Sequence, residues 1–278
     1  MINYPKNYAP LAEEEMEYTS GVRLEMEPWR GRNGSFLVKM NLAMIQRQKF
    51  DRLAMISEPL HYGYNIFMRT QRKNMDNVTT ILTIFTPAYN RAHTLLRTYE
   101  SLCRQSCKAF IWLVVDDGST DNTAALVQQW QSRDNGFEIQ YIYKENGGMH
   151  TAHNVAYANI HTELNTCIDS DDMLADGAVE KILSKWAEVK DKGYAGLVGL
   201  DADFSGNVIG KGFPVNMTET TISGYYAAGG AGDKKLVYRT DVINAYPEYP
   251  VFEGEKYVSL SYKYLLIDQN YKLAVLDD

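Results

Sequence analysis

The sequence is short of the features that define several common protein classes. Its 278 residues include three cysteines, Cys103, Cys107 and Cys167, which are too few for a disulfide framework and fit a reducing compartment. We expect Cys103 and Cys107 to be small buried residues on one helix. Lys and Arg number 28 against 35 Asp and Glu, and this balance argues against a nucleic-acid partner, which requires clustered basic residues.

Long apolar runs are also missing. The longest, "ILTIF" and "FIWLVV", are far shorter than the ~20 residues that a transmembrane helix requires. The N-terminal stretch "MINYPKNYAPLAEEEMEY" has no basic start followed by an apolar run, so it does not resemble a signal peptide. We therefore expect a protein without a transmembrane segment, located in the cytoplasm or peripherally at the inner face of the membrane.

The glycine motifs that bind phosphates or mark serine hydrolases are absent. "GGAGDK" and "GNVIGKG" have the wrong spacing for a dinucleotide-binding fingerprint or a P-loop, and no G-x-S-x-G occurs. A phosphate ligand would therefore need something other than a glycine cradle to offset its charge.

Two regions differ in pattern. Residues 1–75 show no convincing strand alternation, and helical periodicity predicts a helix over residues 35–56. We interpret this region as a helical N-terminal extension for packing or oligomerisation. From residue 76, apolar strands alternate with amphipathic helices, which predicts an α/β fold with a mostly parallel sheet and helices on both faces. The first four predicted strands lie in "VTTILTIFTP", "FIWLVVDDGST", "FEIQYIYKEN" and "LNTCID".

Acidic residues gather where these strands end. Asp116 and Asp117 end the second strand, and Asp169, Asp171 and Asp172 follow the fourth. Ligands bind at the carboxyl ends of parallel strands, and carboxylates crowded on one edge repel one another unless a cation offsets them. Hard divalent ions prefer such oxygens and often complete their coordination with phosphates. The pattern predicts a metal-bridged diphosphate site; the alternative is that each Asp merely caps the next turn or helix.

The motifs at these strand ends carry a resemblance. "TIFTPAYNR", "VVDDGSTDNT", "ENGGMHTAHNVAYANI" and "CIDSDDML" are similar, in order and spacing from Thr83 to Asp176, to the motifs of family 2 glycosyltransferases with a GT-A fold. The later stretch "GDKKLVYRTDVINAYPEYPVFEGEKYVSL" looks like the acceptor half of bacterial members that build cell-surface polysaccharides. The resemblance implies one GT-A domain over residues 76–278, with a nucleotide-sugar half (76–175) and an acceptor half (176–278).

The resemblance also implies an activity. Family members transfer a sugar, with inversion, from a nucleotide-diphospho-sugar to a hydroxyl acceptor. For this chain it implies a UDP-sugar donor, a glycan or lipid-linked acceptor, and Mn²⁺ or Mg²⁺ as the cofactor that stabilises the leaving diphosphate.

Site residues follow from the resemblance, position by position. Asp171 is the leading metal ligand, Asp172 lies close to the sugar or the metal, and Asp169 lies near the ribose. His153 stands where Arg is common, which weakens the expected phosphate contact, and His150 could substitute for it. The alternative for both is an exposed histidine on a helix without a role in binding. The remaining donor-binding residues implied are Pro87, Ala88, Tyr89 and Asn90 along the nucleoside, Asp117 at the base, and Asn146 and Gly148 in "NGGMHTAHN".

The catalytic base is expected in "FEGEKYV". Glu255 is the candidate and Glu253 stands behind it, while Lys256 occupies the position of an Asp that is usual in the family. The alternative is that Glu255 serves only the dipole of a following helix. "YKLAVLDD" reads as a strand with no closing helix after it. Members of the family usually continue with another loop that covers the diphosphate. The resemblance therefore implies either that this chain is truncated or that its N-terminal extension takes that role.

Two other functions stay open at this stage. A sugar-nucleotide nucleotidyltransferase also uses an α/β sheet, Mg²⁺ and acids, but it would show a glycine-rich basic loop where this sequence has "TPAYNR". A catalytically degenerate nucleotide-sugar-binding protein is suggested by His153, Lys256 and the abrupt C-terminus. Glycosyl transfer or slow donor hydrolysis, measured with and without Mn²⁺, separates this second alternative from an active enzyme.

Overall fold

The structure is a computed structural model that describes residues 80–277. The helix predicted over residues 35–56, and the whole N-terminal extension (residues 1–75) to which it belongs, lie outside the described residues.

The first half of the described chain alternates strands and helices as the sequence predicts. All four predicted strands form, and each is followed by a loop that leads to the next helix. In order, the elements are β1 (Leu82–Ala88), α1 (Leu95–Arg104), β2 (Phe110–Asp117), α2 (Thr123–Gln131), β3 (Glu138–Lys144), α3 (Met149–Asn159) and β4 (Leu164–Cys167).

The second half is less regular, with shorter elements. The strand predicted in "YKLAVLDD" is present as the last element. The elements are α4 (Ala178–Val189), a 3₁₀ turn (Lys190–Lys192), β5 (Gly196–Leu200), β6 (Glu219–Thr220), α5 (Ile222–Ala227), β7 (Lys234–Arg239), α6 (Thr240–Ala245), α7 (Ser261–Asp268) and β8 (Leu273–Leu276).

Within the described residues, the strands form one eight-stranded sheet in the order β3-β2-β1-β4-β7-β5-β8-β6. β1 pairs in parallel with β2 and β4, and β2 pairs in parallel with β3. β7 is antiparallel to both of its neighbours, β4 and β5, and β6 is antiparallel to β8. The α/β class is confirmed, and the two reversed strands make the sheet mixed.

The register of β1 to β4 brings their carboxyl ends to one edge of the sheet. Ala88 at the end of β1 lies opposite Asp116, and Asp117 at the end of β2 lies opposite Lys144. β4 ends level with the middle of β1, at Cys167, so the acidic residues after it continue along the same edge. The four strand ends therefore meet as the sequence predicts.

Both faces of the sheet are covered. Because successive side chains of a strand point to opposite faces, Trp112 and Val114 of β2 enter one core, while Leu113 and Val115 enter the other. In the first core, Trp130 of α2 stacks with Tyr99 of α1 at a ring-centroid distance of 4.4 Å. Helix α3 packs against the opposite face. The prediction of helices on both faces is confirmed.

The prediction that Cys103 and Cys107 are buried residues of one helix is wrong. Cys103 lies on α1 and is exposed, whereas Cys107 follows the end of α1 at Arg104 and is half-buried. The buried residues of α1 include Tyr99 and Leu102, and Cys103 is rotated by one residue, about 100°, from Leu102.

No helix within residues 80–277 combines the length and the apolarity needed to cross a membrane.

Candidate active site

Asn90 joins the loops that follow β1 and β2. Its backbone has a positive φ of 55°, a left-handed conformation that Asn tolerates better than most residues. Its side-chain Oδ1 accepts the backbone N–H of Thr120 at 2.8 Å, and its own N–H donates to Ser119 Oγ at 2.8 Å. The Asn90 side chain is therefore engaged in fixing the spacing of the two loops.

The rest of the "PAYN" motif offers one accessible group. Pro87 and Ala88 are buried at the end of β1, whereas the side chain of Tyr89 is 49 % exposed. A ligand at this edge would therefore meet the ring of Tyr89, and Pro87 and Ala88 would contribute the rigid strand end behind it.

Asp117 holds the turn after β3. It is 4 % exposed, and its carboxylate accepts the backbone N–H of Gly147 at 2.9 Å and of Gly148 at 2.8 Å. The Asn146 amide donates to it at 3.2 Å, and the Lys144 ammonium forms an ion pair with it. A carboxylate has about four acceptor positions. The predicted contact between Asp117 and a nucleobase therefore has to replace one of these donors.

The predicted base segment crosses the same turn. Gly148 has a φ of 95°, and a methyl group in its place would collide with the carbonyl oxygen of Lys256. The Lys256 ammonium donates to Asn146 Oδ1 at 2.6 Å. Glu253 and Glu255, which lie just before Lys256 in the chain, are exposed. The segment that carries both glutamates is thus anchored at the carboxyl end of β3.

The turn after β4 carries three exposed carboxylates, those of Asp169, Asp171 and Asp172. The pKa values of Asp169 and Asp172 are raised, chiefly because surrounding protein atoms displace water from these groups. The negative charge of Asp171 raises both pKa values further, while the nearby ammonium of Lys235 opposes the shift. The repulsion expected from the sequence is present in the structure.

Two arginines that the sequence reasoning missed reach this acidic turn. Arg91 Nη1 lies 3.8 Å from Asp171 Oδ2, and Arg97 Nη1 donates to the Asp171 carbonyl oxygen at 3.2 Å. The Arg97 guanidinium also stands 5.0 Å from the ring centre of Phe204, in the loop after β5. Arg91 could have been found from the sequence, because it directly follows "PAYN" at the end of β1. These exposed contacts leave both guanidinium groups accessible to an anion.

A further acid and a lysine complete the edge. Asp201 directly follows β5, and its Oδ1 lies 3.7 Å from Lys235 Nζ in β7. Lys235 Nζ also donates to the carbonyl oxygen of Cys167, the last residue of β4, at 3.3 Å. Neither residue was predicted from the sequence, although "GLVGLDAD" repeats the pattern of an apolar strand that ends on acids.

His153 does not lie where the resemblance puts it. Its ring is 0 % exposed, with an edge-on contact to Phe85 at 5.0 Å between ring centres and its Nδ1 3.3 Å from Tyr157 Oη. Burial lowers its pKa from 6.5 to about 3, and the charge of Lys263 adds to this shift. A buried, neutral imidazole does not reach a donor phosphate. The expected contact of His153 with the donor is therefore corrected, because the side chain belongs to the core.

His150 is buried as well, at 1 % exposure. Within residues 80–277 neither of its ring nitrogens has a hydrogen-bond partner. Burial is the main cause that lowers its pKa, and the nearby charge of Asp117 partly opposes that shift. His150 is thus close to the Asp117 turn, whereas His153 points into the core.

The acidic turn has donor atoms of the kind that a hard divalent cation prefers. Asp169, Asp171 and Asp172 are exposed residues, and each carries a carboxylate. In the described part of the chain, no three His, Cys, Asp or Glu side chains converge in a geometry that would hold a metal ion by themselves. This arrangement fits an ion such as Mn²⁺ or Mg²⁺ that takes some of its ligands from phosphates and water.

Solved structures share this fold. TarS of Staphylococcus aureus (residues 1–349, in complex with UDP) has a TM-score of 0.52 at 23 % identity, over 71 % of this chain and 58 % of that one. The mannosyltransferase PcManGT of Pyrobaculum calidifontis, in complex with GDP-Man and Mn²⁺, has a TM-score of 0.51 at 15 % identity, over 82 % of this chain and 68 % of that one. The described domain therefore has the GT-A glycosyltransferase fold.

The sequence comparisons narrow this class to a family. Residues 83–220 match the family model described as glycosyl transferase family 2. Glycosyltransferase GlyA of Streptococcus pneumoniae is 32 % identical over 107 residues, which are 38 % of this chain and 15 % of the relative. Glycosyltransferase GlyG of the same organism is 27 % identical over 143 residues, or 50 % of this chain and 47 % of the relative. The region of residues 83–220 therefore belongs to glycosyltransferase family 2, and the chain's matches span less than half of these relatives' lengths.

Proposed function

We propose that this protein transfers a sugar from a nucleotide-diphospho-sugar to a hydroxyl group, with inversion at the anomeric carbon. One observation carries the proposal: in a family 2 domain, the exposed acidic turn at residues 169–172 stands beside the strand ends that hold Tyr89 and Asp117. Accessible carboxylates and guanidinium groups at a strand edge suit a metal-bridged diphosphate.

The proposed donor is a UDP-sugar, and the proposed cofactor is Mn²⁺ or Mg²⁺. TarS has been solved with UDP and with UDP-GlcNAc, and PcManGT with GDP-Man and Mn²⁺, which supports a nucleotide-sugar and a divalent ion here. Asp171 would be the leading protein ligand of the ion, with Asp172 beside it and Asp169 towards the ribose. When bound, the ion would act as a Lewis acid that stabilises the negative charge of the departing diphosphate.

Arg91 and Arg97 add to this stabilisation. Their guanidinium groups stand at Asp171 and keep donor hydrogens accessible to solvent. With His153 in the core, we propose that these two arginines supply the permanent positive charge that an Arg at position 153 would otherwise give.

The proposed base is Glu255, with Glu253 as the second candidate. In an inverting transfer, the acceptor oxygen forms a bond to the anomeric carbon while the bond from that carbon to the β-phosphate oxygen breaks. The acceptor proton passes to the Glu255 carboxylate, and the electron pair of the broken bond leaves with the nucleoside diphosphate. The contact of Lys256 with Gly148 and Asn146 supports a base segment at this edge.

The acceptor side is proposed on the resemblance alone. Residues 176–278 would bind a glycan or lipid-linked acceptor, and residues 1–75 would serve packing or oligomerisation. A peripheral position at the inner face of the membrane would suit a lipid-linked acceptor.

Two substitutions test the proposal. Asp171→Ala should lose Mn²⁺-dependent UDP binding in calorimetry and keep the parental circular dichroism spectrum, because Asp171 is exposed. Glu255→Gln should keep UDP binding and lose sugar transfer. A thermal-shift screen of nucleotide-sugars with Mn²⁺ identifies the donor, since a ligand that binds only the folded state raises the melting temperature. Parental UDP and Mn²⁺ affinity in Asp171→Ala would disprove the metal site.

A second candidate function is nucleotide-sugar binding without transfer. Two observations favour it: the His153 side chain is buried, and the Lys256 ammonium donates a hydrogen bond to Asn146. Neither side chain is therefore free to take part in catalysis. Donor hydrolysis and transfer assays with and without Mn²⁺ decide between the two functions. Tight UDP-sugar binding with neither hydrolysis nor transfer to any acceptor tested would favour binding alone.

A further inference from the structure

Lys235 stands at the junction between the sheet and the acidic turn. Its side chain is 25 % exposed, and it lies on β7, the reversed strand between β4 and β5. Its ammonium donates to the Cys167 carbonyl oxygen at 3.3 Å, two residues before Asp169, and lies 3.7 Å from Asp201 Oδ1. The sheet itself therefore holds this cation at the base of the turn.

The charge of Lys235 acts on several acids at once. From its place beside the Cys167 carbonyl and Asp201, this ammonium attracts the carboxylates of Asp169 and Asp172, while the Asp201 carboxylate repels them. On the other side of the turn, Arg91 stands at Asp171. The acidic edge therefore already has resident positive charge before any metal ion arrives.

A resident ammonium and a divalent ion compete for the same carboxylates. The repulsion between them acts across a partly buried edge, where water and salt screen it less than at an open surface. A nucleoside diphosphate changes this balance because its negative charge attracts both cations. Residues 80–277 contain no preformed three-ligand site, so an ion bound at the turn would take further ligands from the diphosphate.

We propose that Lys235 makes divalent-metal binding at the acidic turn conditional on a nucleoside diphosphate. Without nucleotide, the ammonium neutralises the edge and keeps metal affinity low. With nucleotide, metal and diphosphate bind as a unit, and Lys235 becomes one of the groups that face the diphosphate. Lys235 is then a positioning residue, and Asp201 is the partner that sets where its ammonium stands. The inference rests on the proposed donor site and adds an order of binding to it.

The test measures Mn²⁺ binding with and without UDP. Free Mn²⁺ is followed by electron paramagnetic resonance in the parent and in Lys235→Met. Removing one nearby positive charge should tighten binding of Mn²⁺ alone by about tenfold. The factor by which UDP raises Mn²⁺ affinity should fall by about tenfold, and by linkage the factor by which Mn²⁺ raises UDP affinity should fall equally.

Three further variants control for charge and folding. Lys185→Met makes the same charge change on α4, where Lys185 pairs with Glu188, and it should leave both affinities at parental values. Lys235→Arg keeps the charge and should keep the coupling. Asp201→Asn removes the partner of Lys235, so its ammonium faces the remaining acids and Mn²⁺ alone should bind more weakly than in the parent.

The outcomes separate this inference from the proposed function. A merely structural role for Lys235 would weaken Mn²⁺ and UDP binding together, and that result overturns the inference. Parental Mn²⁺ affinity and parental coupling in Lys235→Met, in a protein that binds UDP, overturn it as well and leave the donor site intact. A parent that binds no UDP, with or without Mn²⁺, overturns the proposed function and the coupling with it.

Discussion

The buried His153 makes the stability of the protein depend on pH in a calculable way. Its pKa is about 3 in the folded state against 6.5 for an unperturbed histidine. Because the folded-state value is depressed, the neutral ring contributes its full stability above pH 6.5, and this contribution is lost as the pH falls towards 3. Between pH 8 and pH 5 the loss is about 2 kcal/mol, the free energy of protonating an unfolded histidine at pH 5.

His153→Phe is the variant that isolates this effect. Phenylalanine keeps an aromatic ring against Phe85 and does not titrate. Chemical denaturation at pH 8 and pH 5 gives the free energy of unfolding of parent and variant, and the parent should lose about 2 kcal/mol more than the variant. Only the difference between the two pH values counts, because the substitution also removes the contact with Tyr157 Oη.

The comparison cancels the other titrating groups. Asp169 and Asp172 have raised pKa values, so their stability change with pH has the opposite sign, but both proteins contain them. The matched control is His161→Phe, which replaces an exposed histidine. An equal loss in the parent and in His153→Phe would refute the depressed pKa.

Other predictions concern the fold. Gly148→Ala places a methyl group against the Lys256 carbonyl oxygen at a residue with a positive φ. We therefore expect chemical denaturation to show a loss of about 1–3 kcal/mol in the free energy of unfolding. The rate of the proposed sugar transfer should fall further in Gly148→Ala than in the conservative variant Asn146→Ser. Trp130→Ala removes a fully buried ring that stacks on Tyr99, and should cost about 3–5 kcal/mol, read as a lower denaturation midpoint; a loss below 1 kcal/mol would contradict the stacked core.

The sequence was sufficient to predict β1 to β4 and the edge at which they end. These strands are short, largely apolar runs, β2 and β4 lead into acids, and parallel pairing places the strand ends side by side without further information. Asp117 and the turn at residues 169–172 could be found for this reason.

Residues whose roles depend on distant segments could not be predicted. His153 occupies an Arg position in the motif, but its burial is set by Phe85 and by Tyr249, which lie far from it in the chain. Lys235 enters the acidic edge because β7 runs antiparallel between β4 and β5, and no local pattern announces that insertion. The exposure of Cys103 depends on one helical step.

The reversed strand β7 also limits how the protein can move. Val237 pairs with Thr166 of β4 on one side and with Leu197 of β5 on the other. The strand β7 therefore joins a strand of the proposed donor half to a strand of the proposed acceptor half by backbone hydrogen bonds. A clamshell opening between the halves would break a continuous ladder of backbone hydrogen bonds. The two halves are therefore parts of one continuous sheet, and we expect access to the proposed donor site to depend on the loops at its edge, such as the one that carries Phe204.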